Sequence, residues 1–496
     1  MTRPLRVLIV AAEVAPLAST GGLGRSVGGL ASALKQLGID VRVVMPKYRD
    51  IRANTFDLTR LVEKMKIRSV HRFGETTIFR DELPGELPVY LLEKDKYFDR
   101  EYYYGPPGQA YEDNAERFCF FSLCALAMCT QIGFHPHVIH CHDWHTGLIP
   151  AYLRTLFRQE PFYLPIATLF TVHDLMHQGR FAREKLGLTG LPETVYTPEG
   201  LEFYGGLSFL KAGLVYADVL NTESKRYRQE IQTPEYGVGF DGIFRARNKD
   251  LYGVVNGVDY KQYDPRLDAF IAANYTKNEL AHKQLCKRDL LEVCGLPGDA
   301  DAPLLGMIAP FDEQKGIDLV IQALPEVAAL NAPFIFLNNG LIRDNGYAQR
   351  LRELAAQYAA SVRCYSDYTP QLEHKILAGA DLLLVPSKSE PCGVLQMYSL
   401  KYGTIPLVRA TGGLDDTITD FSPESAKGNG FKFHDYTPAA LLAKLREALA
   451  VYRNRALWEL AQTNAMRADY SWVYSARKYV DLYKIAMSKA KLSQTP

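Results

Sequence analysis

Short apolar runs that end in a polar or glycine-rich turn, each followed by a helical pattern, recur along this chain of 496 residues. The run Leu382–Val385 has no polar alternation, which is typical of a parallel strand buried on both faces. Two turns that follow such runs are Gln314-Lys-Gly316 and Ser387-Lys-Ser-Glu-Pro-Cys-Gly393. Because the carboxyl ends of parallel strands line the ligand crevice of an open sheet, the pattern predicts an α/β fold with its ligand site at these turns.

The alternation runs twice, on either side of a Gly/Pro/Asp-rich break at residues 295–303. The predicted strands are Val7–Ala11, Val41–Met45, Val138–Cys141, Ala167–Val172 and Val219–Thr222 before the break, and Leu304–Ala309, Phe334–Leu337, Leu382–Val385 and Ile405–Val408 after it. The length exceeds one ordinary core, so we expect two doubly wound, Rossmann-like domains at 1–255 and 256–470 with the ligand cleft between them. Apolar residues at helical spacing in 471–496 predict a closing helix that packs on the first domain.

The overall charge and the cysteines limit the function classes. Lys and Arg number 57 against 56 Asp and Glu, a net charge of +1, which argues against nucleic acid as a partner. No run reaches the roughly 20 apolar residues of a membrane span. The eight cysteines lack a C-x-x-C pattern and the start does not look like a signal peptide, so we expect free thiols in a cytoplasmic protein.

Two side chains in these turns have the chemistry of sugar transfer. Glu390 follows a buried strand and suits the stabilisation of positive charge on a sugar ring, although acids at such places also serve as N-caps. Lys315 suits the neutralisation of a leaving diphosphate without a metal, although most lysines simply lie on the surface. The glycine turns at Thr20-Gly-Gly22 and Thr411-Gly-Gly413 supply backbone donors for an anion at equivalent places in the two halves.

A histidine-rich segment, His140-Cys-His-Asp-Trp-His145, looks at first like a metal cluster. Its spacing is not that of a zinc site, so we expect no metal there. Asp143 and His145 are placed to hydrogen-bond a sugar at the edge of the sheet. His173, after the next strand, is either a satisfied core histidine or a sugar-orienting group.

These motifs resemble, in order and over nearly the whole chain, the bacterial glycogen synthases and plant starch synthases, which are retaining glycosyltransferases of family five. The segments that carry the resemblance are Thr20-Gly-Gly-Leu23, Tyr103…Gly105…Asp113-Asn114…Arg117-Phe118, His142-Asp-Trp-His-Thr-Gly147, Thr171-Val-His173, Phe209-Leu-Lys-Ala-Gly213, Asn256-Gly-Val-Asp259, Gln314-Lys-Gly316, Glu390-Pro-Cys-Gly393, Lys401-Tyr-Gly-Thr404 and Pro406-Leu-Val-Arg409…Thr411-Gly-Gly-Leu414.

The resemblance implies the GT-B architecture, two Rossmann-like domains facing a deep cleft. It implies transfer of glucose from ADP-glucose to the non-reducing end of an α-1,4-glucan such as glycogen, with retention and with neither a metal nor another cofactor. By position, Glu390 is the carboxylate near the donor glucose, Lys315 binds the diphosphate and His173 contacts the donor sugar. Further donor-binding residues are expected at Ser19, Gly21, Gly22, Gly393, Tyr368 (on the adenine), Thr411 and Gly412. Acceptor-binding residues are expected at Tyr103, Asp113, Asn114, Arg117, Asp143 and His145.

The chain departs from the family pattern at four places. Ser19 replaces a lysine, Arg25 an acid and Pro310 an arginine, and Val394-Leu395 replaces Leu-Thr. Pro310 removes a cation from the diphosphate site, and a charge-assisted hydrogen bond of that kind contributes on the order of 1.5–3 kcal/mol. The departures leave two alternatives open: a transferase with a changed donor or acceptor, and a catalytically weakened glucan-binding homologue.

Overall fold

The computed structural model describes residues 4–51, 58–66, 74–297, 299, 301–340 and 346–492. Its strands are β1 Arg6–Val10, β2 Asp40–Pro46, β3 Thr59–Lys66, β4 Glu75–Leu83, β5 Leu87–Glu93, β6 Val138–His142, β7 Ala167–Val172, β8 Arg180–Phe181, β9 Glu202–Phe203, β10 Gly206–Ser208, β11 Val219–Thr222, β12 Leu251–Gly253, β13 Leu305–Ile308, β14 Phe334–Leu337, β15 Val362–Tyr365, β16 Leu382–Val385, β17 Ile405–Arg409 and β18 Phe431–Phe433.

The helices are α1 Gly22–Gln36, α2 Asp95–Phe98, α3 Asn114–Gln131, α4 Leu148–Arg154, α5 Leu186–Thr189, α6 Phe209–Tyr216, α7 Lys225–Glu230, α8 Asp241–Ala246, α9 Ala281–Val293, α10 Ile317–Ala328, α11 Tyr347–Gln357, α12 Pro370–Gly379, α13 Leu395–Lys401, α14 Gly412–Thr417, α15 Pro438–Arg453, α16 Arg455–Arg467 and α17 Trp472–Leu492. The chain divides into two units. The first comprises Met1–Glu223, Arg228–Gly257 and Trp472–Pro496, and the second comprises Ser224–Tyr227 and Val258–Ser471.

A nine-stranded sheet forms the centre of the first unit, in the order β12-β11-β7-β6-β1-β2-β5-β4-β3. The strands from β12 to β5 run parallel, and β4 and β3 continue the sheet in antiparallel directions. The five strands that the sequence predicts before the break all lie in the parallel part, with ends within one residue of the prediction. The antiparallel edge is not predicted, because most side chains of β3 are exposed and the strand lacks an apolar run.

The second unit contains a six-stranded parallel sheet in the order β15-β14-β13-β16-β17-β18. Its four central strands are those that the sequence predicts after the break. They are apolar and buried on both faces, as expected for strands covered by helices on either side. The neighbours β13 and β16 lie at the centre of the sheet, so the loops after them lie side by side.

Helix α17 completes the first unit, although it comes last in the chain. A Cβ atom at Gly29 would lie 2.1 Å from Nε1 of Trp472, so the small residue in α1 admits the indole. Further along, the phenol of Tyr479 accepts a hydrogen bond from Asn221 at 3.0 Å, and that of Tyr483 bonds His140 at the same distance. The helix therefore covers the parallel sheet with aromatic side chains that also satisfy buried polar groups.

Candidate active site

In the second unit, the ammonium of Lys315 and the carboxylate of Glu390 form an ion pair. Nζ of Lys315 donates to Oε2 of Glu390 at 2.7 Å, and the hydroxyl of Ser387 donates to the same oxygen at 3.0 Å. The side chains of the pair are only 25% and 11% exposed. Two residues that the sequence selects from distant segments therefore meet, and Ser387, which sequence reasoning missed, joins them.

The loops that follow β13 and β16 are tied together by their backbones. The N–H of Lys388 donates to the carbonyl of Gln314 at 2.8 Å. Gly316 has a φ of 78°, and a Cβ atom there would lie 2.3 Å from the carbonyl oxygen of Pro386. Only glycine tolerates both the left-handed backbone and this close approach. This close approach of the two loops holds Lys315 against the loop that follows β16.

Two glycines after β17 support the turn that contains Glu390. Gly412 has a φ of 45°, and a Cβ atom there would lie 1.9 Å from the carbonyl oxygen of Glu390. A Cβ atom at Gly413 would lie 2.0 Å from the carbonyl oxygen of Cys392. The N–H of Gly413 donates to the carbonyl of Glu390 at 3.0 Å. The sequence predicts that this glycine turn offers donors to an anion, and the structure uses at least this N–H to hold the Glu390 turn.

Three other residues expected to bind the donor lie in loops that follow strands of the same sheet. Thr411 is buried and lies two residues after β17, at the N-cap of α14. Gly393 has a φ of 71° and lies in the turn before α13. Tyr368 lies beyond β15 with 44% of its surface exposed, so much of its ring is on the surface. These positions fit the carboxyl edge of a parallel sheet, where such folds bind ligands.

Pro310, Lys388 and Arg25 differ in their surroundings. Pro310 packs against Gly340, since a Cβ atom on that glycine would lie 2.7 Å from Cβ of Pro310. Nζ of Lys388 donates to the carboxylate of Glu313 at 2.6 Å on the surface, so its charge is already paired. Arg25 lies exposed in α1 of the first unit.

In the first unit, Glu13 organises the glycine turn at the start of α1. Its carboxylate accepts the N–H of Thr20 at 2.5 Å and the hydroxyl of Thr20 at 2.8 Å, and the phenol of Tyr104 donates to it at 2.6 Å. Ser19 instead donates from its hydroxyl to the carbonyl of Gly21 at 3.2 Å. Helix α1 begins at the second glycine of this turn. A buried carboxylate that the sequence did not single out thus shapes the predicted donor-binding turn.

Both ring nitrogens of His173 have partners within the first unit. Nδ1 bonds Oε1 of Glu223 at 2.6 Å, and Nε2 bonds Nδ1 of His142 at 2.9 Å. The backbone N–H of His173 also donates to Oδ1 of Asp143 at 2.7 Å. A sugar hydroxyl would therefore have to exchange one ring partner or use the backbone carbonyl.

The ionisable groups around His173 differ in how readily they carry a charge. Burial opposes a charge on His173, but the carboxylates of Asp143 and Glu223 outweigh that effect and raise its pKa. Burial raises the pKa of Asp143 to about 6, although His173 opposes the rise. Burial, with His140 and His173 nearby, lowers the pKa of His142 well below its usual range. A histidine that is readily charged thus lies beside one that stays neutral.

Asn114 and Arg117 hold a loop in place. The side-chain amide of Asn114 donates to the carbonyl of Tyr104 at 2.9 Å, and Nη2 of Arg117 donates to the carbonyl of Tyr103 at the same distance. The two side chains also bond each other at 2.6 Å, and Arg117 has no exposed surface. Both side chains support the loop at 103–104, and the direct contact with a glucan that the resemblance implies stays a prediction.

Tyr103 and Asp113, also expected at the acceptor, are partly exposed. The ring of Tyr103 stacks on that of Tyr48 with centroids 4.2 Å apart, and its hydroxyl lies 3.5 Å from the carboxylate of Asp50. Asp113 receives two hydrogen bonds from the guanidinium of Arg100, at 2.8 and 2.6 Å. Tyr103 thus lies partly exposed against Tyr48, while the charge of Asp113 is paired.

His145 is buried among aromatic rings. Its ring centroid lies 4.1 Å from that of Trp144, 4.6 Å from Tyr104 and 4.8 Å from Phe118. Its Nδ1 has no hydrogen-bond partner among the described residues, and burial lowers its pKa well below the usual range. His145 thus lies buried three residues after the end of β6, and its contact with the acceptor stays a prediction.

The residues missed by sequence reasoning obey the same rule that selected Glu390. Glu13, Glu223 and Ser387 each lie just after the end of a buried parallel strand. A search for every polar side chain within three residues of such an end would have found them.

All eight cysteines are free thiols, and seven of them are buried. Within the described ranges, no group of three or more His, Cys, Asp or Glu side chains is arranged to hold a metal ion. His140 and His142 lie on β6 and use ring nitrogens for hydrogen bonds to other side chains. None of the helices among the described residues has the length and apolar character needed to cross a membrane.

Comparison with known proteins identifies the family. Residues 6–246 match the starch synthase catalytic domain, and residues 296–461 match glycosyl transferases group 1. The chain is 43% identical to a glycogen synthase of Syntrophotalea carbinolica, over 97% of its own length and 99% of that protein. It is 40% identical to a glycogen synthase of Thermotoga maritima, over 98% and 99% of the two chains.

A solved structure gives the same assignment. The catalytic domain of starch synthase IV from Arabidopsis thaliana, bound to ADP and acarbose, matches with a TM-score of 0.86 and 30% identity, over 98% of this chain and 100% of that one. The expected α/β architecture and the resemblance read from the motifs are therefore confirmed. The chain belongs to the family of bacterial glycogen synthases and starch synthases, with the GT-B fold, and is a glucosyltransferase of the glycogen synthase type.

Proposed function

We propose that this enzyme transfers glucose from ADP-glucose to the non-reducing end of an α-1,4-glucan, with retention of anomeric configuration and without a metal. The observation that carries the proposal is the Lys315–Glu390 pair, joined at 2.7 Å at the carboxyl edge of the second unit's sheet. It places a cation for a diphosphate and a carboxylate for a reacting sugar next to each other. The family acts on a glucan acceptor with a nucleotide-sugar donor, and the related starch synthase IV is bound to ADP and acarbose.

In this proposal, residues of the second unit bind the donor. Lys315 neutralises the diphosphate, so no metal is needed for that charge. The turn at Cys392–Gly393 and the residues after it donate N–H groups to the distal phosphate, and Tyr368 stacks on the adenine. Glu390 lies near the donor glucose and stabilises the positive charge that develops on its ring.

The chemical step is a substitution on one face of the sugar. The bond from the anomeric carbon to the phosphate oxygen breaks as the bond to the acceptor hydroxyl forms on the same side. The leaving phosphate oxygen takes the proton of that hydroxyl, so ADP departs and the glucan is longer by one glucose. Retention follows because bond breaking and bond making share one face.

In the first unit, the turn formed by Ser19, Gly21 and Gly22 offers N–H groups at the start of α1, and His173 contacts the donor sugar. Tyr103, which is partly exposed, contacts the glucan acceptor. We place the enzyme in the cytoplasm, as its eight free thiols suggest, with neither nucleic acid nor a membrane as partner.

The test is incorporation of radiolabelled glucose into glycogen, from ADP-glucose and from UDP-glucose in parallel, with and without a chelator. Glu390→Gln should abolish incorporation. Glu313→Gln is the matched control, because Glu313 lies in the same pair of loops but forms an exposed ion pair with Lys388. Preference for ADP-glucose that a chelator leaves unchanged supports the proposal. A second donor used far better, or no incorporation from either, would refute it.

A further inference from the structure

Three buried side chains of the first unit are joined in series by hydrogen bonds. The chain runs from His142 through the ring of His173 to the carboxylate of Glu223, with contacts of 2.9 and 2.6 Å. All three are less than a tenth exposed. They come from the ends of β6, β7 and β11, strands that lie next to one another in the sheet.

The hydrogen bond between His173 and Glu223 shares its acceptor with the other donor to Glu223. Oε1 of Glu223 also accepts from Nδ2 of Asn256 at 2.6 Å, and Asn256 donates to the hydroxyl of Ser26 at 2.9 Å. A carboxylate oxygen has lone pairs for both partners and no proton of its own. With Glu223 as the acceptor, Nδ1 of His173 carries the proton of this hydrogen bond, and Glu223 fixes this orientation of the ring.

In the hydrogen bond between His173 and His142, it remains to assign which ring carries the proton. It is donated either by Nδ1 of His142, with His173 neutral, or by Nε2 of His173, with that ring cationic. Nε2 of His142 is buried without a partner among the described residues in both arrangements. The surrounding charges therefore decide. The titratable groups that face His173 are Glu223, Asp143, Asp174, His142 and His140.

Acidic groups dominate that set. Three are carboxylates, and burial holds both neighbouring histidines neutral by lowering their pKa. The raised pKa of His173 agrees with the geometry. Glu223 and Asp143 are buried, and a cation beside them offsets part of the cost of burying their carboxyl groups.

We propose that Glu223 is a positioning residue that keeps the ring of His173 doubly protonated, with its Nε2 proton shared with His142. The proposal deepens the proposed function, since it rests on the contact of His173 with the donor. A cationic ring attracts a ligand that carries a diphosphate. Glu223 would thus act on donor binding and turnover without touching the donor.

The first experiment is a histidine NMR titration of the full-length protein without ligand, with ring-labelled histidine and His173→Gln to assign the signal. In Glu223→Gln, the amide oxygen still accepts from Nδ1, but the negative charge is gone. The pKa of His173 should fall by about one unit or more. Glu223→Asp should restore part of the difference. An unchanged titration in Glu223→Gln would overturn the proposal.

The second experiment is the pH profile of kcat between pH 6 and pH 9. The high-pH limb should move to lower pH in Glu223→Gln, by the same amount as the NMR titration. Tyr483→Phe is the matched control, because it removes a hydrogen bond at 3.0 Å from His140 on β6 and leaves the partners of His173 intact. It should lower stability and leave the profile in place. If the high-pH limb of the kcat profile does not move with the NMR titration of His173, the role of Glu223 in turnover is contradicted. If the wild type transfers no glucose, the proposed function fails, and the titration still decides the role of Glu223.

Discussion

Lys315 and Glu390 neutralise each other across a hydrogen bond of 2.7 Å. The ammonium that we assign to the diphosphate is thus engaged by the carboxylate that we assign to the sugar. A nucleotide diphosphate must compete with Glu390 for this cation. The same contact that positions the lysine therefore opposes binding of the leaving group.

Glu390→Gln should consequently bind ADP more tightly while losing turnover. Release of a partly exposed ion pair of this kind contributes about 1 kcal/mol, which corresponds to a roughly fivefold lower Kd. Turnover should fall on the order of 100-fold or more, because the charge that stabilises the reacting sugar is gone. Calorimetry with ADP and the glycogen assay measure the two effects. Glu313→Gln should change neither, and weaker ADP binding in Glu390→Gln would contradict the competition.

Pro310→Arg should strengthen donor binding. It restores a cation where the family pattern has one, in the loop that leads to Lys315. A charge-assisted hydrogen bond of about 1.5 kcal/mol corresponds to a KM for ADP-glucose about tenfold lower. Pro310→Gln is the control of similar length without charge and should leave KM near the wild-type value. Equal effects of the two substitutions would show that charge is not what the site lacks.

Asp143→Asn should change how stability depends on pH. The folded pKa of Asp143 is raised from 3.8 to about 6, so the folded protein prefers the neutral acid. The contribution of this group to stability is fully present below its pKa in the unfolded chain. It is lost as the pH rises through its pKa in the folded protein. Relative to the wild type, the variant should gain about 2 kcal/mol in the free energy of unfolding between pH 4 and pH 7. Denaturant titrations at several pH values measure the difference, and a constant difference would refute the prediction.

Gly412→Ala should displace Glu390 as well as destabilise the second unit. The new Cβ atom would lie 1.9 Å from the carbonyl oxygen of Glu390, so the turn must move. We expect kcat to fall at least tenfold, together with a lower Tm. Gly38→Ala is the control that separates backbone strain from displacement of the Glu390 turn. Gly38 has a φ of 79°, but no atom lies within 4 Å of the new Cβ. This control substitution should cost only about 1 kcal/mol of stability. Normal kcat in Gly412→Ala would show that the Glu390 turn tolerates the shift.

The central strands of both sheets were predictable because they are apolar on both faces. Strands such as β3 and β18 were not, since an exposed or very short edge strand gives no continuous apolar run. The Lys315–Glu390 pair could be anticipated because each residue follows a central strand. The carboxyl ends of neighbouring parallel strands lie at one edge of the sheet. Residues that follow them can therefore be expected to meet even when the loop conformations are unknown.

Side-chain partners were much harder to anticipate. His173 bonds Glu223, which lies fifty positions later, and only the order of β7 and β11 in the sheet makes them neighbours. Arg117 was selected through the family resemblance, yet it is buried and donates to the backbone carbonyls of Tyr97 and Tyr103. Sequence patterns indicate where polar groups gather, whereas the distinction between a ligand contact and a structural hydrogen bond depends on burial.

Helix α17 has a consequence for the order in which the enzyme is made. The ribosome produces every strand of the first unit's sheet by Gly253, then the whole second unit, and only at the end the helix that lies against β7 and bonds His140. A nascent chain must therefore keep that part of the sheet soluble while more than two hundred further residues emerge. A product terminated early lacks the aromatic cover of this sheet, so proteases have a means of telling unfinished chains from complete ones.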